Sequence, residues 1–172
     1  REVEYRLRDL ASGRETVHLR QPSRSLGVRT LIAPAGTSLA WERVMEDKTV
    51  PFLGNEGETG RELCGDCRLH GLTRDASRAL VRRGPRLALR SVADGSEQPL
   101  FDAGNDFLLD ADLSWDDGWL AVLLGHPDGT MSIRALPVGG DPSRTVDVVR
   151  SDDWLNSPRW SPDGTRLYHL SR

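Results

Sequence analysis

One turn sequence recurs along this chain at a spacing that few folds share. Its clearest copy is Ser-Pro-Asp-Gly at residues 161–164. Pro162 presets φ for a turn position, Asp163 can accept hydrogen bonds from its own backbone, and Gly164 takes positive φ without steric cost. Trp160 precedes the turn and a Leu-Tyr pair follows it, which is typical of two strands that a tight turn joins.

Weaker copies of the turn lie upstream. The positions that match Asp163 are Ala35, Asp75 and Asp116, and successive positions are 40, 41 and 47 residues apart. A period of roughly 40–45 residues is that of a four-stranded propeller blade. The sequence therefore predicts an all-β fold, a β-propeller or a propeller fragment, with four-stranded antiparallel blades and about four repeats.

The alternation of apolar and polar residues divides residues 1–172, a single domain, into blades. The half blade at the start of the chain, residues 2–20, would supply the last two strands of a blade. The half blade at the end, residues 151–172, would supply the first two. We expect the two to pair and close a four-bladed ring, or the chain to be part of a longer propeller, or two chains to complete a larger ring. The first residue is Arg1 rather than Met, which favours the longer propeller. The predicted units are a half blade at 2–20, blades at 26–63, 68–102 and 108–149, and a half blade at 151–172.

Charge and hydropathy exclude two classes of partner. The net charge is −3 and both signs are interspersed, so the chain lacks the basic field that nucleic acids require. No segment approaches the ~18 apolar residues of a membrane span, and we expect no membrane insertion by this segment.

The turn aspartates Asp75, Asp116, Asp117 and Asp163 could suggest metal binding or acid–base chemistry. They recur once per repeat within a turn sequence, as backbone capping requires, so we predict structural roles for them and for Pro162, Gly164 and Trp160. The sequence has no Gly-x-Ser-x-Gly elbow, phosphate loop or HExxH helix, which predicts no catalytic, metal or cofactor site and no enzyme.

Five tryptophans could form a stacking platform for sugars or peptides. Trp41, Trp115, Trp119 and Trp160 lie in or beside the turn-strand pattern, which favours packing between blades. Trp154 lies in a loop before a strand, among acidic and amide residues, and is the candidate for ligand contact.

Cys64 and Cys67 form a CxxC sequence, with His70 at the same interval beyond it. A local disulfide that staples the loop between two blades is the simplest interpretation. Free structural thiols, or a metal or redox site, are the alternatives. The disulfide would imply an oxidising, extracytoplasmic compartment.

The repeat resembles the WD40-like propeller repeat of the TolB-type family, called PD40 after the Pro-Asp pair present here as Pro162-Asp163. The resemblance extends over the whole chain, but only the last copy is a close match. Residues 9–16, 63–67 and 152–164 together resemble propellers of acidobacteria, which are joined to kinase or winged-helix regulator modules or occur in surface proteins. Such chains continue beyond the position of Arg172.

The resemblance implies a non-enzymatic scaffold that binds a protein or peptide through its loops, as the sensory or interaction domain of a larger bacterial protein. Oligomerisation through open strand edges is expected if the ring does not close. The alternatives are the gating propeller of a prolyl-oligopeptidase-type serine peptidase, with the catalytic domain outside this chain, and a glycan-binding module.

Overall fold

A computed structural model describes residues 2–8, 10–22, 30–32, 38–45, 48–55 and 60–172. The fourth copy of the turn, around Ala35, lies outside the described residues, as do residues 26–29 and 56–59 of the first predicted blade.

The described strands form three four-stranded and two two-stranded antiparallel sheets, and every sheet contains strands in sequence order. This confirms the predicted all-β class with four-stranded antiparallel sheets. The first pair is β1 (Glu2–Arg8) and β2 (Glu15–Pro22). Sheet A consists of β3 (Thr30–Ile32), β4 (Ser38–Met45), β5 (Lys48–Asn55) and β6 (Arg61–Glu62). Sheet B consists of β7 (Arg68–Leu72), β8 (Arg78–Arg83), β9 (Arg86–Ser91) and β10 (Glu97–Asp102). Sheet C consists of β11 (Phe107–Leu113), β12 (Trp119–Gly125), β13 (Met131–Pro137) and β14 (Val146–Ser151). The last pair is β15 (Leu155–Trp160) and β16 (Leu167–Ser171).

The first strands of successive sheets contact one another: β3 contacts β7, β7 contacts β11, and β11 contacts β15. In a propeller the first strand of each blade lies nearest the axis, so these four strands are the inner strands of the arrangement. The two strand pairs at the chain ends are separate sheets in the described residues. Their union in one blade, and with it ring closure, stays a prediction.

The core lies between neighbouring sheets. Because side chains alternate between the two faces of a strand, each strand contributes residues to the core on both sides. On β8, Ala79 and Val81 pack in the cluster that sheet A shares with sheet B, whereas Leu80 packs in the cluster between sheets B and C. On β12, Leu120 faces sheet B and Leu123 packs with Leu155 of the last strand pair. Both faces of these strands are buried, which explains their nearly continuous apolar sequences.

Three of the four inner strands contain an irregularity at which the strand can present additional side chains. The pairing register shifts across His70 in β7, across Leu109 in β11, and between Asn156 and Arg159 in β15, where Ser157 has a φ of 52°. A bulge of this kind bends a strand and redirects a side chain.

None of the described helical segments is long and apolar enough to cross a membrane.

Candidate functional site at the inner strands

The repeated turn has the same hydrogen bonds in three of its copies. A hydroxyl donates to the turn carboxylate, from Thr73 to Asp75 at 2.9 Å and from Ser114 to Asp116 at 2.6 Å, and Ser161 bonds Asp163 in the same way. The same hydroxyl accepts the backbone N–H five residues later, at 2.9–3.0 Å in all three copies. Each turn is therefore closed by its own side chains.

These bonds fix the charge of the turn carboxylates. The Ser161 hydroxyl and the N–H and hydroxyl of Thr165 lower the pKa of Asp163 to about 2. The Ser77 backbone N–H lowers the pKa of Asp75, and the Ser114 hydroxyl lowers that of Asp116. The three carboxylates are ionised at neutral pH, and backbone capping accounts for their position in the sequence.

The residue after the turn carboxylate has positive φ in all three copies: 57° at Ala76, 58° at Asp117 and 69° at Gly164. Only the third copy has the glycine that this conformation favours. Asp117 links the turns of two sheets. The backbone N–H of Arg74 donates to both of its carboxylate oxygens, Oδ1 at 3.1 Å and Oδ2 at 3.0 Å. Burial raises the pKa of Asp117, and the Arg74 bond only partly offsets this effect.

A cavity of about 240 Å³ lies at the C-terminal ends of the inner strands, beside these turns. The position two places before the turn contributes to its wall in β7, β11 and β15, as Gly71, Asp112 and Arg159, and Leu31 of β3 also lines it. We call this space the inner-strand cavity. Its other lining residues are His70, Leu72, Leu113, Ser114, Trp115 and Trp160.

A chain of polar groups forms one side of the inner-strand cavity. The Arg159 Nη1 donates to the Asp110 Oδ2 at 3.0 Å, and the other Asp110 oxygen lies 3.6 Å from the His70 Nδ1. The His70 and Asp110 side chains are only 5% and 9% exposed, whereas Arg159 is half exposed. The His70 Nδ1 is buried and makes no hydrogen bond to the described residues.

Asp112 joins the inner strands of sheet C and the last strand pair. Its Oδ2 accepts the Trp160 N–H at 2.9 Å, and its backbone carbonyl accepts the indole N–H of the same residue at 3.2 Å. Trp160 is thereby held against the cavity wall, with its ring 6.5 Å from that of Trp119.

The tryptophans do not all follow the sequence prediction. Trp41 is fully buried against Phe52, with the ring centroids 6.3 Å apart. The prediction that Trp115 packs between blades is wrong, because 43% of Trp115 is exposed. Trp115 lies within the turn rather than on the strand, and it lines the inner-strand cavity. Trp154 is 46% exposed, and the sequence predicts that it lies in a loop outside the core. The Arg172 guanidinium lies 5.8 Å from the centre of its ring.

Cys64 and Cys67 are joined by a disulfide in the segment between sheets A and B, with their Cα atoms 5.8 Å apart. His70 does not approach them as a ligand, since it lies on the inner strand among the polar groups of the cavity. Within the described ranges, no three His, Cys, Asp or Glu side chains are grouped as a metal ion requires.

Sequence reasoning missed an arrangement with the geometry of a Ser-His-Asp triad. The His126 Nε2 lies 2.8 Å from the Ser132 hydroxyl, and its Nδ1 lies 2.9 Å from the Asp106 carboxylate. Ser132 is only 5% exposed, and neither Ser132 nor His126 lines the inner-strand cavity. A nucleophile must reach its substrate, so this geometry favours a structural link between the hairpin of sheet C and the loop that precedes β11.

A larger cleft lies elsewhere, but the charged side chains in it are engaged with one another. A groove of about 980 Å³ follows β9 and β10 of sheet B. Its charged side chains pair with one another, Arg83 with Glu97 and Arg86 with Asp102. The inner-strand cavity is smaller but is lined by polar side chains from three sheets, His70, Asp112 and Arg159, so it is the better candidate.

The fold of this chain is similar to that of solved β-propeller structures, including TolB-type proteins. TolB from Acinetobacter baumannii has a TM-score of 0.75 and 17% identity over 94% of this chain and 41% of that chain. A TolB candidate from Agrobacterium tumefaciens has a TM-score of 0.69 and 21% identity over 88% of this chain and 57% of that chain. A prolyl endopeptidase is more distant, with a TM-score of 0.52 and 14% identity over 96% of this chain and 34% of that chain.

The chain spans about half of the length of the two TolB structures. No protein-family model matches the sequence, and no curated protein is significantly similar to it. At these identities the comparison shows the fold, which confirms the predicted propeller class.

Proposed function

We propose that this propeller is a recognition scaffold that binds a protein or peptide, without catalysis of its own, in the inner-strand cavity and on the turns around it. One observation carries the proposal: side chains from four successive sheets meet around one cavity. A ligand there contacts residues held by four rigid elements, which reduces the entropy lost on binding.

The small volume of the cavity and the surface beside it favour a peptide over a large rigid ligand. Its volume of about 240 Å³ is smaller than the roughly 300–1,000 Å³ of typical small-molecule pockets. Such a volume suits one anchoring side chain, and the adjoining turns, with the half-exposed Trp115, provide surface for the residues beside the anchor. Exposed aromatic side chains next to pockets are common energetic centres of protein interfaces.

The disulfide supports a location outside the cytoplasm. Disulfides persist in oxidising compartments, and that of Cys64 and Cys67 would be reduced in most cytosols. A periplasmic or extracellular interaction domain of a larger bacterial protein fits this chemistry and the TolB-like fold.

Selection of random peptides displayed on phage tests recognition. Binders are selected on the wild-type protein and then measured against Trp115→Ala and Trp154→Ala. The two tryptophans are exposed to similar extents, 43% and 46%, but only Trp115 lines the cavity. We expect selected peptides to lose at least tenfold in affinity for Trp115→Ala and to bind Trp154→Ala as they bind the wild type. Peptides that respond only to Trp154→Ala, or no enrichment at all, would refute the proposal.

The likeness to a prolyl endopeptidase favours one second candidate, the gating propeller of a peptidase. The complete gene product would then cleave a chromogenic peptide after proline. An inactive complete protein would leave recognition as the function.

A further inference from the structure

We infer that a second cavity binds a monovalent organic anion, a carboxylate joined to an apolar or aromatic group. The cavity has a volume of about 500 Å³ and lies between the β8–β9 hairpin of sheet B and the start of β11 in sheet C. We call it the hairpin cavity. It lies at the opposite end of β11 from the inner-strand cavity, so the inference goes beyond the proposed function and does not depend on it.

The group that would bind the anion is the guanidinium of Arg82, a partly buried residue that lines the hairpin cavity. Its Nε donates to the carbonyl of Gly84 at 2.8 Å, and Gly84 also lines the cavity, so the guanidinium lies at the cavity wall. Arg83 and Arg86 of the same hairpin each pair with a carboxylate, but Arg82 has no such partner among the described residues. The N–H donors of its two Nη groups are therefore available to a ligand.

A like charge beside Arg82 makes its unpaired state unfavourable. Arg82 lies directly opposite Arg68 in the pairing of β7 with β8, and like charges at opposite positions destabilise a sheet. Burial lowers the pKa of Arg82, and the positive charge of Arg68 adds to this effect. Arg68 has the Glu42 carboxylate 3.7 Å from its Nη1, so the uncompensated charge of the pair is that of Arg82. An anion bound at Arg82 would reduce the repulsion.

The apolar part of the hairpin cavity consists of Phe107 and Leu109, which are 63% and 46% exposed. Leu109 lies where the register of β11 and β12 shifts, and a bulge of this kind redirects a side chain. The two side chains lie over the same glycine, because a Cβ at Gly125 would be 3.4 Å from the Leu109 Cδ1 and 3.8 Å from the Phe107 Cβ. An apolar ligand group that covers them would remove their surface from water, which favours binding.

Asp106 determines the charge that the ligand can carry. It also lines the hairpin cavity, and one of its carboxylate oxygens lies 2.9 Å from the His126 Nδ1. Among the described lining residues, Arg82 is the one basic side chain and Asp106 the one acidic side chain. One guanidinium matches one negative charge, whereas the second charge of a phosphate monoester would be unpaired and repelled by Asp106. A carboxylate is therefore favoured, and its two oxygens fit the planar fork of a guanidinium.

Titration of the isotope-labelled protein with small acids tests the inference by NMR. The probes are 4-phenylbutyrate, its neutral amide, butyrate, which lacks the ring, and 3-phenylpropyl phosphate. We expect 4-phenylbutyrate to shift the Arg82 Nε–H signal and the Leu109 methyl signals. The Nε–H signal of Arg90, which donates to the Leu63 carbonyl at 2.7 Å, is the internal control and should not shift. The affinity for 4-phenylbutyrate should exceed that for each other probe at least tenfold and should fall as salt is added.

Two variants locate the effect. Arg82→Gln should reduce binding of 4-phenylbutyrate at least tenfold and abolish the preference for the acid over the amide. It also removes the repulsion by Arg68, so the variant should fold. Phe107→Ala changes an exposed residue and should reduce binding severalfold. The control is Arg150→Gln, which removes an arginine paired with Asp128 in sheet C and should leave binding unchanged.

The carboxylate can come from a free organic acid or from the C-terminus of a peptide. Acetyl-Leu-Phe with a free C-terminus, compared with its C-terminal amide, distinguishes these sources. Tighter binding of the peptide acid than of 4-phenylbutyrate identifies a peptide C-terminus, and the reverse order identifies a free acid. Both results support the inference, provided that each acid binds more tightly than its amide.

Three results would overturn the inference. The first is equal affinity for 4-phenylbutyrate and its amide, or tighter binding of the phosphate. The second is binding of the acid that Arg82→Gln does not weaken, which would place the ligand elsewhere. The third is the absence of any shift with all probes at millimolar concentration. Failure of the phage selection would refute the proposed function but not this inference, because the two cavities lie at opposite ends of β11.

Discussion

Exchange of alanine and glycine at equivalent turn positions tests whether the repeated turns are governed by their backbone geometry. Gly164 and Ala76 have φ values of 69° and 57° in turns with the same hydrogen bonds. A left-handed conformation costs a residue with a Cβ roughly 1–2 kcal/mol. Replacement of glycine by alanine also restricts the unfolded chain, which restores about 0.4–1 kcal/mol.

The surroundings of Gly164 add little to this balance. A Cβ there would find its nearest neighbour, an Asp116 oxygen, at 3.8 Å, which is ordinary contact. Gly164→Ala should therefore destabilise the protein by about 1 kcal/mol. At this chain length that lowers the melting temperature by about 2–4 °C.

Ala76→Gly should behave differently despite the same geometry. It relieves the backbone strain but removes the methyl group of a buried residue, since Ala76 is only 8% exposed. A buried methyl group is worth about 0.8 kcal/mol. The glycine also gives the unfolded chain more freedom, which costs a further amount of about 0.4–1 kcal/mol. Together these two losses nearly offset the relief of roughly 1–2 kcal/mol, so the stability should stay within about 0.5 kcal/mol of the wild type.

Urea unfolding followed by tryptophan fluorescence measures these differences. Gly71→Ala is the matched control, because Gly71 has no positive φ and a Cβ there would meet Leu80 and Leu113 at 3.6–3.8 Å. The same substitution should there raise stability by about 0.5–1 kcal/mol. An unchanged midpoint for Gly164→Ala, or a loss above about 1 kcal/mol for Ala76→Gly, would refute the reasoning.

Four further outcomes are expected. Because the pKa of Asp163 is about 2 in the folded protein and 3.8 is its ordinary value, its contribution is complete above about pH 4 and is lost as the pH falls toward 2. The difference in urea midpoint between wild type and Asp163→Asn should shrink over that interval; a constant difference contradicts the assigned bonds. Leu80→Ala, at a fully buried position between sheets B and C, should cost about 2–5 kcal/mol in urea unfolding, and a cost below 1 kcal/mol would contradict the packing. Replacement of Cys64 and Cys67 by serine should cost at most about 2 kcal/mol, because the closed loop is short; a larger loss would show a further role. A fluorophosphonate probe should leave Ser132 unlabelled, as judged by mass spectrometry, and labelling there would overturn the proposal that the protein is not an enzyme.

The sequence predicted the fold because its evidence is local. The hydroxyl, the carboxylate and the residue of positive φ lie within six residues, so the pattern of residues 161–166 predicts its own hydrogen bonds. The weaker copy around Asp75 forms the same bonds with threonine in place of serine and Ala76 in place of glycine. The spacing of such turns then indicates four-stranded sheets.

The candidate site could be predicted only in part. Trp115 was expected in the core because it belongs to the turn pattern, yet its exposure depends on the direction in which the turn leaves the strand. His70 was considered only beside the CxxC sequence, whereas the bulge of β7 places it next to Asp110. Alignment of the residues two places before each turn would have predicted that Gly71 and Asp112 lie side by side on neighbouring inner strands. It would not have predicted which side chains they contact.

The sequence by itself determined the all-β class, the repeating turns and the positions of most strands, since these depend on bonds and alternation between residues close in the chain. The tertiary structure alone decided that His70, Asp112, Trp115 and Arg159 surround one cavity. These residues come from three sheets and are separated by as many as 89 positions. Their meeting depends on how apolar faces of successive sheets pack, and packing directions are not encoded in any short stretch of sequence.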